Sequence, residues 1–61
     1  MINTIDDLPE AAYEKVEKAI TKFRDSRMMR NDQHDLYEVL TNAGLSAEYA
    51  DEFINCEVEN A

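Results

Sequence analysis

Asp35-Leu36-Tyr37-Glu38-Val39-Leu40-Thr41-Asn42-Ala43-Gly44-Leu45-Ser46 is the stretch that decides how this chain folds. Leu36, Val39, Leu40 and Ala43 stand at i, i+3, i+4 and i+7, the spacing that lines one face of an α-helix. The chain's single glycine follows at position 44. Glycine enters the left-handed region without a Cβ clash, so a glycine there closes a helix and returns the next apolar residue to the core. The pattern predicts a helix ending at Gly44, with positive φ at that residue and Leu45 folded back on Leu40. Ser46 is a good N-cap for a further helix.

Downstream, Tyr49, Ala50, Phe53 and Ile54 continue the helical spacing, with Val58 extending it. Residues 57–61 are polar and are expected to fray, as are residues 1–6. Upstream, Asn31 or Asp32 is expected to cap the helix that carries Leu36. Earlier still, Ala12, Tyr13, Val16, Ala19, Ile20 and Phe23 form one apolar stripe, the mark of an amphipathic helix. That helix is expected to start after Asp7, with Asp7 as cap, Glu10 completing a capping box and Pro9 in the first turn. Its end is expected between Ser26 and Arg30, after about 20 residues or roughly 30 Å. The fold read from this is all-α: a small single three-helix domain over 1–61, one long helix packed on a tight helix-turn-helix-like pair. Val16, Ile20, Phe23, Leu36, Leu40, Leu45 and Phe53 are its expected core.

The segment from Asp35 to Ile54 resembles a helix-turn-helix. Leu36, Val39, Leu40, Ala43, Gly44, Leu45, Ala50 and Phe53 fall near the places where that motif wants apolar residues and a turn glycine. The resemblance implies a DNA-associated regulator and covers about a third of the chain. The sequence departs from the pattern in two ways. A small residue usually stands where Leu40 is. The would-be recognition helix carries Glu48, Asp51 and Glu52 with no Arg or Lys, where a major-groove reader needs donors for bases and cations for phosphates.

Charge points the same way. The chain of 61 residues has a net charge of −8, which opposes binding to nucleic acid and to anionic lipid. All six basic residues, Lys15, Lys18, Lys22, Arg24, Arg27 and Arg30, precede position 31, and only acidic charge follows. Either the basic stretch sits against the acidic half and softens its repulsion, or the acidic half is a surface for a basic partner. Partner-binding candidates are accordingly Asp35, Tyr37, Glu38, Glu48, Asp51 and Glu52. Tyr37 is included because it falls off the main stripe of its helix.

Other chemistries find few residues. Cys56 is the lone cysteine, so no disulfide forms within the chain and a reducing compartment is expected. Asp32, His34, Asp35 and Glu38 form the one cluster with metal-ligand character, but zinc wants three or four ligands rich in Cys and His. No metal or cofactor is expected. No glycine-rich phosphate loop and no nucleophile beside a base is apparent, so no enzyme is expected. No run approaches the roughly 20 apolar residues of a membrane span, and Met1 to Asp7 carries no signal-peptide pattern. The expected location is the cytoplasm.

The leading expectation is a small non-enzymatic protein that binds and modulates a larger protein with a basic surface. In size and acidity it is similar to phage and prophage accessory proteins. The alternative is a nucleic-acid mimic that inhibits a DNA-binding protein; a DNA-associated regulator comes third. Met28 and Met29 are a pair of adaptable side chains that suits either a partner contact or one core and one surface role. Tyr13, Val16, Ile20 and Phe23 fit two a/d-like steps and mark a candidate homodimer face.

Overall fold

The computed structural model describes residues 4–60. Three α-helices follow a short 3-10 turn at Ile5–Asp7: α1 Glu10–Asp25, α2 Arg30–Asn42 and α3 Ala47–Glu59. Among the described residues there is no strand, and no helix is long and apolar enough to cross a membrane.

Proline sets the start of α1. The residue before a proline is pushed out of the α region, and Leu8 is extended, with ψ 146°. Pro9 is extended too and stands at the N-cap with no side-chain cap bond. The expected Asp7 cap and its box with Glu10 are therefore absent. Asp7 accepts instead from the Thr4 hydroxyl at 3.3 Å. Leu8 and Tyr13 occupy the two positions of a hydrophobic staple. Leu8 is buried, and Tyr13 packs against the same core. The sequence reading had not placed Leu8 inside.

α1 ends at Asp25, slightly earlier than expected. Ser26 is extended, and its backbone N–H and its hydroxyl both donate to the Phe23 carbonyl, at 3.1 Å and 2.6 Å. A serine thus satisfies an orphan carbonyl of the last turn. The helix has 16 residues, about 24 Å by the helical rise, so it is shorter than the sequence reading expected.

α2 also starts earlier than expected. Its N-cap is Met29, and Asp32 lies in its first turn. The Asp32 carboxylate accepts from the Met29 backbone N–H at 3.3 Å, the reach-back half of a capping box. Neither Asn31 nor Asp32 is the cap.

At the other end of α2 the pattern holds in full. Gly44 has φ 114°. The Leu45 N–H donates to the Leu40 carbonyl at 3.2 Å and the Gly44 N–H to the Thr41 carbonyl at 3.1 Å. These are the two bonds of a Schellman motif, and Leu40 and Leu45 are both buried. Ser46 then caps α3, its hydroxyl accepting from the Tyr49 N–H at 3.1 Å. α3 runs on to Glu59, across most of the stretch expected to fray. Asn60 closes it, with backbone and side-chain N–H groups both donating to the Cys56 carbonyl.

α2 is the middle element, packed on α1 on one side and α3 on the other. α1 and α3 run in the same direction. Arg24 meets Glu57 near their C-terminal ends. Near their N-terminal ends the Ile5 N–H donates to the Tyr49 hydroxyl at 3.4 Å. The core is Leu8, Val16, Ile20, Phe23, Leu36, Leu40, Leu45, Ala50 and Ile54. Phe53, expected inside, is only half-buried and stacks on Tyr49 with ring centroids 6.3 Å apart. α3 turns its Ala50 and Ile54 edge to the centre, with Ala50 fully buried.

The residues of the candidate dimer face take part in the same packing. Val16, Ile20 and Phe23 are buried against α2 and α3 within one chain, and Tyr13 packs half-buried beside them. Ala12, Tyr13 and Ala19 of the same stripe remain half-buried.

Candidate interaction surface

Helical periodicity sends neighbouring residues of α2 to different flanks, and this splits the predicted set. Tyr37 faces α3. With Arg30, Gln33 and His34 of α2, and Asp51, Ile54 and Asn55 of α3, it lines an open groove between the two helices. Asp35 lies on the opposite flank, where it lines the seam with α1 beside Lys22 and Asp32. Glu38 is exposed, its Oε1 3.1 Å from Nε2 of His34, one turn earlier on α2. Glu48 and Glu52 are exposed one turn apart on α3 and do not line the groove. The structure brings Tyr37 and Asp51 together, leaves Glu38, Glu48 and Glu52 on the outer faces, and separates Asp35 from all of them.

Tyr37 is half-buried and packs against the core, so it is less open than its position off the stripe suggested. Arg30, Gln33 and Asn55 were not predicted as lining residues. The signal was in the spacing: 30, 33, 34 and 37 share one flank once the helix is known to start at Arg30. Assigning Arg30 to the end of the preceding helix concealed it.

The basic stretch lies beside acidic groups of the second half. Arg24 donates to Glu57 at 2.5 Å. That hydrogen bond and the Glu57 charge hold the Arg24 guanidinium above its ordinary pKa. Lys22 shares the α1–α2 seam with Asp32 and Asp35, and Arg30 shares the α2–α3 groove with Asp51. Lys22, Arg24 and Arg30 therefore sit near carboxylates of the second half. Apart from Asp51, the outer side of α3 has no such neighbour. Glu48, Asp51, Glu52 and Glu59 are exposed, and none is in an ion pair within 4.0 Å among the described residues.

Among the described residues no polar or charged side chain is buried. No three His, Cys, Asp or Glu side chains there converge as a metal site, so Asp32, His34, Asp35 and Glu38 do not gather around one point. Cys56 is exposed and free. Comparison with protein-family models, with curated proteins and with solved structures finds no match to this chain.

Proposed function

We propose that this protein is a small, acidic, non-enzymatic interaction module. It works in the cytoplasm by binding a larger protein with a basic surface and modulating it. The observation that carries this reading is the outer side of α3, where Glu48 and Glu52 are exposed and unpaired while Lys22, Arg24 and Arg30 stand near other carboxylates. A field of one sign at a surface steers a partner of the opposite sign and selects against others. The non-enzymatic part rests on chemistry. Catalytic groups need environments that shift their pKa, chiefly burial, and among the described residues no carboxylate is fully buried.

The second reading, a mimic of nucleic-acid phosphates, draws on the same carboxylates and on the lack of any Lys or Arg after Arg30. It differs in its partner, which would be a DNA-binding protein released by competing DNA. Affinity capture from the cytosol of the source cell, with mass spectrometry, tests both. The wild-type chain should retain a basic protein that the Glu48→Lys/Glu52→Lys double variant loses. Equal capture by both chains would remove the α3 surface from the reading. Release of the captured protein by duplex DNA at constant ionic strength would favour the mimic.

A further inference from the structure

Met29 is the most exposed large apolar side chain among the described residues, at 61 % exposure, and the turn that carries it is held in one shape. Met28, its neighbour, takes the left-handed conformation at φ 54°, which a non-glycine residue occupies at a cost. Three side chains secure that geometry. The Ser26 hydroxyl accepts from the Met28 N–H at 3.0 Å, and the Gln33 amide donates to the Met28 carbonyl at 2.9 Å. Asp32 accepts from the Met29 N–H at 3.3 Å. Arg27 and Arg30 flank the pair, exposed and in no ion pair among the described residues. The turn between α1 and α2 thus presents an apolar side chain between two guanidiniums, and Met and Arg are both enriched where proteins touch.

The outer side of α3 offers the complement. Glu48 and Glu52 stand one turn apart there, exposed and in no ion pair among the described residues. Tyr49 neighbours Glu52 across one helical turn. It is half-buried and stacks on the half-buried Phe53, so an aromatic edge adjoins the two carboxylates. Guanidiniums pair with carboxylates through parallel N–H···O bonds, and a methionine sulfur packs well at a ring edge. Within one chain the two surfaces stay apart. Arg27 lines a recess with Glu57 and Asn60, and Arg30 a groove with Asp51, Ile54 and Asn55; Glu48 and Glu52 line neither.

We infer that the acidic side of α3 receives the α1–α2 turn of a second copy of this chain, whose Arg27 and Arg30 meet Glu48 and Glu52 and whose Met29 meets the edge of the Tyr49–Phe53 pair. Self-association then covers the surface that the larger basic partner would use, and this regulatory consequence rests on the function proposed above. The net charge of −8 opposes the contact through repulsion between whole molecules. At physiological salt that repulsion is screened beyond about 8 Å, while charges in contact are screened less. Association is therefore weak, and it yields to a partner that is itself strongly basic.

Sedimentation equilibrium of the full chain at physiological salt, to high micromolar protein, tests this. The apparent mass should rise with concentration above the 7.0 kDa of one chain. Arg27→Glu/Arg30→Glu should be monomeric throughout that range. Glu48→Lys/Glu52→Lys should be monomeric too, although it lowers the net negative charge and with it the general repulsion. An equimolar mixture of these two variants should associate again, because the reversed charges meet. Lys15→Glu/Lys18→Glu adds as much negative charge as the first variant but away from the contact, and should still associate. Circular dichroism should show wild-type helix in all of them; if the lysine variant unfolds, Glu48→Gln/Glu52→Gln takes its place and should be monomeric. A monomeric wild type, association that survives either charge reversal, or a mixture that stays monomeric would each overturn the inference. Met29→Ser separates the two readings, since it weakens self-association and leaves α3 intact. It should retain at least as much of the basic partner in affinity capture as the wild type does, whereas capture of no basic protein by either chain would remove the proposed function and leave the self-contact standing.

Discussion

Leu40 is fully buried, and its carbonyl accepts the Schellman bond from Leu45. Leu40→Ala removes buried methyl groups and leaves a cavity that three packed helices close only in part. The expected loss is about 2–5 kcal/mol in urea unfolding, with a lower midpoint and an unchanged slope. Gly44 carries the turn through its φ of 114°. Gly44→Val places a branched Cβ where only glycine is comfortable, and should cost about 1–3 kcal/mol in the same measurement. A loss typical of an exposed surface change would mean that the turn relaxes into another conformation. Met28 makes the contrast. It bears a positive φ without being glycine, because Ser26 and Gln33 hold its backbone on both sides. Nothing in a Met-Met pair announces such a conformation.

Among the elements, the end of α3 is the one whose order depends on a distant partner. Glu57 and Glu59 carry negative charge there, and no basic residue stands in the last turn to offset the helix dipole. Arg24 supplies that cation from α1 through its bond to Glu57. Arg24→Gln should therefore leave global stability nearly unchanged, since exposed ion pairs contribute little. It should raise amide exchange at Glu57, Val58 and Glu59 by loosening the last turn locally. Unaltered exchange at those three amides would show that Asn60 and its bonds to the Cys56 carbonyl suffice. The starts of α1 and α2 carry a related lesson. Capping residues were present in both, at Asp7 and Asp32, yet the helices begin at Glu10 and Arg30. In the first case the Leu8–Pro9 pair forces extended backbone. In the second, Asp32 serves from inside the first turn instead of in front of it.

For the whole molecule, charge outweighs resemblance. The helix-turn-helix-like pair is present, but α3 presents Glu48, Asp51 and Glu52 to solvent. No sequence-specific DNA complex is expected in a gel-shift series at physiological salt, because phosphates would meet carboxylates. A footprint on one operator would require the cations of α1 to reach the backbone and would revive the DNA-associated reading. The same view of the whole explains why the candidate surface was only half legible. Residue type alone marks the acidic groups as solvated, but not which flank of a helix each one shares with a neighbour. Asp35 and Tyr37 are two apart in sequence, and α2 sends one to α1 and the other to α3.

What the sequence by itself determined is the helical class, the three apolar stripes, and the boundary from Gly44 to Ser46. These depend on local rules: periodicity, a backbone conformation open to glycine, and a hydroxyl three residues before an amide. Tertiary structure alone decided which edge of each stripe turns inward. Ala50 and Ile54 displace Phe53 from the centre of α3, Leu8 closes the core from outside any helix, and Val16, Ile20 and Phe23 of α1 are buried within one chain. Those outcomes depend on how closely neighbouring helices approach, a distance set by all the contacting side chains together.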